Sequence, residues 1–292
     1  MTATVTVKSA GARVYAVSDL HVDYSANLAW VTALSSDAYQ RDTLIVAGDV
    51  SDNLDRLEQA LGALRDRFAR VFFTAGNHEL WIRRKEFPDS WQKLRAIDHL
   101  CDSINVETKP GRVPLDETGH AWVVPLKSWY IQPEEGAGSL FVRKRGEDPT
   151  LTMWADNYFV RWPTASAYAD PVALRLLATN PEHLEVDDDE PVVTFSHFLP
   201  RQDLIFSTDY EAVVNPNLRK DDYPSFNFSR VAGCTQLDEQ LRGLGATAHV
   251  YGHQHRNRRR LVDGVLYISN CMGYPPERDL DADPHDELVS VW

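Results

Sequence analysis

A short apolar run at residues 44–47, Leu-Ile-Val-Ala, ends at Gly48 and is followed at once by Asp49. An unbroken apolar run of this length is typical of a parallel strand that is covered on both faces. Asp49 would then follow the carboxyl end of a strand, where open α/β sheets place their ligand sites, and Gly48 allows a sharp turn beside a ligand. The run therefore predicts an α/β protein with a site at the carboxyl edge of its sheet.

The same pattern occurs at four other predicted strands. Apolar runs at residues 13–18, 71–74, 192–196 and 248–251 are each followed by Asp, His or Asn side chains. Carboxylate, amide and imidazole donors without a thiolate suit manganese, iron or zinc acting as a Lewis acid, rather than a Cys-rich structural zinc site. Over the five strand ends, these side chains include Asp19, His21, Asp49, Asn77, His78, His197, His253 and His255.

In chain order, the motifs are Asp-x-His at 19–21, Gly-Asp-x-x-Asp at 48–52, Gly-Asn-His-Glu at 76–79, His197, and Gly-His-x-His at 252–255. Together they resemble the signature of the calcineurin-like metallophosphoesterase superfamily. The resemblance implies an α/β fold of two packed mixed β-sheets flanked by helices, a metallophosphoesterase-type sandwich. An aromatic-rich insertion or cap at about 127–180 departs from a minimal phosphoesterase core. Because motifs from both parts of the chain must meet in one site, a single phosphoesterase domain over residues 1–292 is predicted.

The resemblance also assigns roles to the motif residues. One metal ion would be held by Asp19, His21, Asp49 and His255, and a second by Asn77, His197, His253 and the shared Asp49. His78 would protonate the leaving oxygen or stabilise its charge, and Asp52 would orient the His78 ring. Two divalent or mixed-valence ions, with manganese favoured over iron or zinc, would acidify a shared water, so that a metal-bridging hydroxide attacks phosphorus.

The insertion has two interpretations. It forms either a lid, whose aromatic rings stack on an organic group while basic residues meet phosphate, or a satellite core under a long loop. The candidate substrate contacts in and beyond it are Trp129, Trp154, Tyr158, Arg201 and Arg256.

Local patterns predict the remaining elements. Asp52 has a second interpretation as the N-cap of a helix that begins at Leu54. Asp263-Gly264 predicts a hairpin turn, and the chain from Pro275 predicts a surface strap. Helices are predicted at 26–34, 54–68, 90–100, about 164–178 and 235–243, with further strands at 104–106, 113–115 and 120–125.

Composition narrows the class of protein. The formal net charge of −13 would repel a polyanion, so a long nucleic-acid track is disfavoured, whereas a small phosphate ester is not. Three scattered cysteines favour a reducing compartment. The sequence has neither a signal-peptide pattern nor a membrane-spanning apolar run, which predicts a cytoplasmic protein without a membrane partner. No oligomeric state follows from these features.

Two positions differ from the pattern of the Ser/Thr protein phosphatases in this superfamily, and the difference narrows the predicted activity. Ser/Thr protein phosphatases of this superfamily have Arg at the positions of Asn53 and Ala75, which argues against a close relationship to them. The sequence predicts a phosphomonoesterase that acts on a small organic phosphate. The alternative is a phosphodiesterase or nuclease, with a groove that holds ester groups on both sides of the metals. A noncatalytic binding module is disfavoured because Asp49 and His78 are both retained.

Overall fold

The structure, a computed structural model, describes residues 11–115, 119–132, 136, 138–163, 171–187, 189–208, 223–280 and 282–292. The described strands are β1 (Val14–Val17), β2 (Thr43–Val46), β3 (Arg70–Phe73), β4 (Gly111–Pro114), β5 (His120–Pro125), β6 (Val192–Phe195), β7 (Ala246–Tyr251), β8 (Arg258–Val262), β9 (Val265–Ser269) and β10 (Val289–Ser290). The described helices are α1 (Ser25–Ala33), α2 (Leu54–Arg65), α3 (Ser90–Ser103), α4 (Asp156–Phe159), α5 (Val172–Leu177) and α6 (Gln236–Gly243).

The strands form two mixed sheets. The first has the order β10-β1-β2-β3, with β1, β2 and β3 parallel and β10 antiparallel to β1. The second has the order β4-β5-β6-β7-β9-β8, in which the four central strands are parallel and both edge strands are antiparallel. Because the central strands of each sheet are parallel, each sheet gathers its motif-bearing strand ends at one edge.

The alternating faces of β2 explain its unbroken apolar run. Ile45 and the adjoining Ala47 belong to a buried cluster shared with strands of the second sheet, including Phe195 and Val250. Leu44 and Val46 belong to the other buried cluster, which includes the apolar face of α2. Both faces of β2 are therefore covered, as the run predicts.

The carboxyl edges of the two sheets meet beside β1. Ser18 forms a parallel bridge with Cys271, and its N–H donates to the Asn270 carbonyl at 2.9 Å. The Gly273 N–H then donates to the carbonyl of Asp19 at 3.0 Å. These bonds connect the chain that follows β9 to the first motif, so both sheets contribute to one site.

Several local predictions are confirmed and others are wrong. Asp263 and Gly264 both have positive φ and join β8 to β9, as the hairpin prediction requires. The N-cap of α2 is Asn53 and not Asp52, because the Asn53 side chain accepts from the Arg56 N–H. Residues 104–106 are not a strand: they follow α3 directly, and the next pairing along the chain is an isolated bridge between Glu107 and Phe72 of β3.

Other predictions concern the insertion and the chain after β9. The helix predicted at 164–178 is observed only as α5, and residues 164–170 lie outside the described chain. The predicted surface strap adds β10 to the first sheet. In the part of the chain that the structure describes, no helix is long and apolar enough to cross a membrane. The single domain over 1–292, with its insertion at about 127–180, stays a prediction.

Candidate metal centre

The loops that carry the predicted ligands have an unusual backbone. Nine non-glycine residues of the described chain have positive φ, and five of these nine are predicted metal ligands: Asp19, His21, Asp49, His253 and His255. A non-glycine residue in this region costs free energy and persists only where its surroundings enforce it. The concentration at three of the five strand ends, those of β1, β2 and β7, marks these loops as a functional site.

Two glycines allow these loops to approach each other. A Cβ on Gly76 would lie 2.2 Å from Asp49 Oδ1, and a Cβ on Gly48 would lie 2.8 Å from His197 Nδ1. Since neither distance is compatible with a side chain, the motif glycines are required for the ligands to converge.

The first half of the centre consists of Asp19, His21 and His255. His21 Nε2 lies 3.0 Å from His255 Nε2, which lies 3.2 Å from Asp19 Oδ1. On its other side the His255 ring donates through Nδ1 to Glu277 Oε2 at 2.8 Å, which leaves Nε2 facing the centre. Although burial lowers the pKa of His255, the Asp19 and Glu277 carboxylates raise it to about 10. Burial lowers the pKa of His21 to about 4.

The second half consists of Asn77, His197 and His253. His197 Nε2 lies 3.1 Å from both Asn77 Oδ1 and His253 Nδ1. The remaining nitrogens of both rings donate to backbone carbonyls at 3.0 Å: Nδ1 of His197 to Ala47, and Nε2 of His253 to Val231. These bonds leave the other nitrogen of each ring facing the centre. Although burial lowers the pKa of His197, the Asp49 carboxylate raises it to about 9, so a metal ion would have to displace a proton there. Burial lowers the pKa of His253 to about 3, so this ring is neutral near neutral pH.

Asp49 lies between the two halves. Its Oδ2 is 3.3 Å from His197 Nε2, which belongs to the second half. A ligand atom of Asp49 also lies within 4.8 Å of a ring nitrogen of His21, which belongs to the first half. Burial raises the pKa of the Asp49 carboxyl, but the charged His197 ring beside it lowers that pKa well below its ordinary value. The Asp49 carboxylate is therefore ionised and lies within reach of a metal ion in either half.

The donor set fits a pair of metal ions. Three groups of side chains each place their ligand atoms within 4.8 Å of one another: Asp19 with His21 and His255; His21 with Asp49 and His78; and Asp49 with His197 and His253. These donors are carboxylate oxygens and imidazole nitrogens, and Asn77 adds an amide oxygen. Manganese, iron and zinc all accept such ligands, so the residues present are chemically suited to the predicted cofactor.

Glu79 holds two of these loops together. Its buried carboxylate accepts four backbone N–H groups, from Asp49, Val50, Ser51 and Gly76, at 2.6 to 3.0 Å. Burial and the neighbouring Asp49 raise the pKa of Glu79 to about 7, and the hydrogen bonds oppose that rise. Glu79 thereby ties the loop after β2 to the loop after β3.

His78 lies beside the ligands. Its backbone N–H donates to Asp49 Oδ1 at 2.9 Å, and its ring Nε2 is 3.8 Å from Asp49 Oδ2. The ring packs on Trp81, with centroids 3.6 Å apart. The structure pairs the Asp52 carboxylate with the guanidinium of Arg83. The role of Asp52 in orienting His78 stays a prediction.

The predicted substrate contacts have different surroundings. Trp129 is buried against Tyr130 and Phe198, as the satellite-core interpretation expects. Trp154 packs edge-on against His253, with centroids 5.7 Å apart, whereas Tyr158 is 59% exposed.

The two arginines also differ. Arg201 forms ion pairs with Asp203, Asp238 and Asp263, so its guanidinium is directed to carboxylates of its own chain. Arg256 lies with His255 in the wall of a cavity of about 600 Å³. Direct substrate contact by any of these five residues stays a prediction.

Three residues that were not predicted as ligands or substrate contacts also contact the candidate ligands. Asp156, in the insertion, accepts from Asn77 Nδ2 at 2.9 Å. Glu277 accepts from His255, and Tyr274 stacks on His21 with centroids 4.6 Å apart. None of them belongs to a motif, although Asp156 lies amid the aromatic residues of segment 154–159.

This fold and site define the class of protein: the chain belongs to the calcineurin-like phosphoesterase family, whose sequence profile matches residues 12–257. The chain is similar to acyl-carrier-protein phosphodiesterase PptH of Mycobacterium tuberculosis, with 30% identity over 275 residues, covering 90% of this chain and 78% of that protein. It is also similar to the crystal structure of phosphopantetheinyl hydrolase (PptH) from the same organism, with a TM-score of 0.70, 26% identity and coverage of 97% of this chain and 96% of that one.

These comparisons confirm the predicted family and fold class and identify the chain as a phosphoester hydrolase. The family typically binds a dinuclear metal centre, consistent with the clustered donors. The predicted preference for monoesters is not confirmed, because the curated relative is named a phosphodiesterase.

Proposed function

We propose that the chain is a metal-dependent phosphodiesterase that hydrolyses the diester joining a phosphopantetheine group to a carrier protein. The observation that carries this proposal is the complete set of seven candidate ligands in a chain 30% identical to an acyl-carrier-protein phosphodiesterase over 90% of its length. The phosphodiesterase, which the sequence left as the alternative, is therefore better supported than the phosphomonoesterase.

The metal pair would be held by the two halves described above, with Asp49 shared between them. When bound, two divalent ions supply Lewis acidity that acidifies a water and neutralises phosphoryl oxygens. The outer hydrogen bonds of His197, His253 and His255 leave one nitrogen of each ring facing the centre, where a bound cation would take the place of any proton. We propose manganese as the preferred metal.

His78 is the proposed group at the leaving oxygen. Hydrolysis forms a bond from a water oxygen to phosphorus and breaks the bond to the carrier-protein oxygen, which must gain a proton as an alcohol. Burial lowers the pKa of His78 well below its ordinary value, so the free ring is neutral and carries one N–H. That N–H can donate to the leaving oxygen as negative charge develops on it.

A diester needs room for a group on each side of phosphorus. One cavity, of about 600 Å³, is lined by His255, Arg256 and Glu277. A second, of about 500 Å³, is lined by Asp52, Arg83 and Lys93 beside the loop that follows Asp49. Two cavities adjoining different motif loops are consistent with a substrate that has two ester groups.

The proposal is tested by incubating the metal-loaded chain with a phosphopantetheinylated acyl carrier protein and recording the intact mass of the carrier protein. We expect its conversion to the unmodified form, with release of phosphopantetheine. In parallel, bis-para-nitrophenyl phosphate should be hydrolysed faster than para-nitrophenyl phosphate. Loading with manganese, iron or zinc in turn tests the metal preference.

Two variants make the experiment specific. His78→Ala should lower turnover by about 10²–10⁴-fold, the range for a group that assists proton transfer. His99→Ala is the matched control, because His99 is an exposed histidine on α3 and should leave turnover unchanged. Rapid hydrolysis of monoesters with an unmodified mass for the carrier protein would overturn the proposal in favour of the monoesterase.

A further inference from the structure

The insertion reaches the metal centre through one buried carboxylate. Asp156, at the start of α4, is 3% exposed. Its Oδ1 accepts from Asn77 Nδ2 at 2.9 Å and from Trp81 Nε1 at 2.6 Å, and its Oδ2 accepts from the Tyr130 hydroxyl at 3.1 Å. Three donors from two separate segments, the loop after β3 and the chain at Tyr130, therefore fix the position of this carboxylate.

This contact determines which end of the Asn77 amide faces the centre. An asparagine side chain has one oxygen, which can bind a cation, and one NH₂ group, which cannot. An ionised carboxylate only accepts hydrogen bonds, so Asp156 selects the orientation in which Nδ2 points toward the insertion. Asn77 Oδ1 is then left 3.1 Å from His197 Nε2, within the second half of the centre.

The segment that carries Asp156 is itself attached to the chain around Asn77. The Ile82 N–H donates to the carbonyl of Phe159, at the end of α4, at 2.8 Å. Trp154, two residues before Asp156, donates through Nε1 to the Tyr130 hydroxyl at 3.1 Å, and its ring packs edge-on against His253. Two ligands of the second half thus contact the same short segment of the insertion.

We propose that Asp156 is a positioning residue for the second metal: it holds the Asn77 amide with its oxygen toward the cation, and so couples the insertion to metal occupancy. The inference rests on the ligand assignments of the proposed function but not on its substrate. Any displacement of segment 154–159 would release the Asn77 amide and lower the affinity for the second metal ion.

The test titrates the metal-free full chain with MnCl₂ alone, using isothermal calorimetry and the electron paramagnetic resonance of free Mn²⁺. Asn77→Ala first identifies which binding step belongs to the second half. Asp156→Ala should weaken that step by about 10–100-fold, the usual effect of removing a partner of a metal ligand, and leave the other step unchanged.

Two further variants separate positioning from general damage. Asp156→Asn should retain most of the affinity, because its amide oxygen can still accept from Asn77 and Trp81. Asn157→Ala is the matched control: Asn157 donates to the carbonyls of Thr150 and Leu151, so its loss should move neither step. If Asp156→Ala fails to fold, Tyr130→Phe provides the test instead. It removes one of the donors to Asp156 and should weaken Mn²⁺ binding to the second half by a smaller factor.

Equal weakening of both steps, or an unchanged second step in Asp156→Ala, would overturn the proposal. So would a loss in Asp156→Asn as large as that in Asp156→Ala. No substrate is present in these titrations, so failure of the carrier-protein assay would leave this inference standing, and failure here would leave the proposed activity untouched.

Discussion

The two halves of the centre use similar donors but support them differently. In the first half, His255 is backed by Glu277, whose side chain is 45% exposed. In the second, His197 is fully buried and bonded to a backbone carbonyl, and Asn77 is bonded to the buried Asp156. The rings of Phe198, Trp154 and Phe228 pack around His253.

This difference means that similar ligands should respond differently to their surroundings. A carboxylate that reaches solvent acts through charge, which salt screens, whereas buried hydrogen bonds and packed rings are screened far less. The first half therefore depends on electrostatics and the second on the packing of the insertion and of the two sheets.

The largest effect is expected where the halves share a ligand. Asp49→Asn keeps a side chain that tolerates positive φ but removes the shared charge, so both metal ions should be lost. Turnover should fall by more than the roughly 100-fold typical for supporting residues. Metal content measured after dialysis provides the check. Asn77→Ala should lose only one ion, and equal losses in the two variants would contradict a shared role for Asp49.

A smaller effect is expected at Glu277. Glu277→Ala removes the acceptor of His255 Nδ1–H and should weaken the first Mn²⁺ step by about 10-fold. Because Glu277 is partly exposed, the difference from wild type should shrink in high salt, whereas the effect of Asp156→Ala should persist. Calorimetry at low and high salt measures both. The control is Asp286→Asn, which neutralises an exposed carboxylate and should not change Mn²⁺ affinity. If the effect of Glu277→Ala is the same at low and high salt, the proposed difference between the two halves is wrong.

Acid should weaken the scaffold of the second half. His249 on β7 contacts the hydroxyls of Thr194 and Ser196, next to His197, and burial lowers its pKa to about 3. The unfolded chain takes up this proton as pH falls below about 6.5, whereas the folded chain does not until about pH 3, so stability falls across that window. From about pH 7 to about pH 5, wild type should lose about 2 kcal/mol more than His249→Gln.

The measurement is urea unfolding of the metal-free chain at each pH. His99→Ala, which removes an exposed histidine, serves as the control and should follow wild type. Parallel curves for wild type and His249→Gln would show that His249 does not carry the acid sensitivity.

The smallest effect is expected at Arg201, where all three ion pairs are made with carboxylates of its own chain rather than with either half. Arg201→Met should lower the free energy of unfolding by about 1 kcal/mol and leave KM for the diester unchanged. Steady-state kinetics would reveal a raised KM if Arg201 does contact substrate.

The predictable part of the site is the part that is local in sequence. Asp49 could be predicted as a candidate ligand because a donor that directly follows an apolar strand leaves its pattern in a few residues. Asp156 and Glu277 leave no such pattern, since each reaches its ligand only after long chain segments have packed. The choice of Asn53 over Asp52 as N-cap also required the structure, because both residue types cap helices well.

The Glu79 carboxylate has a consequence for the order in which the chain folds. It receives amides from the loops after β2 and β3, and an unpaired buried N–H costs about 1–3 kcal/mol. The loop after β2 cannot satisfy its three N–H groups without Glu79 from the loop after β3, so we expect it to become ordered in one late, cooperative step once β2 and β3 have paired. A partly folded chain would then have no incomplete set of ligands that could bind metal ions before folding is finished.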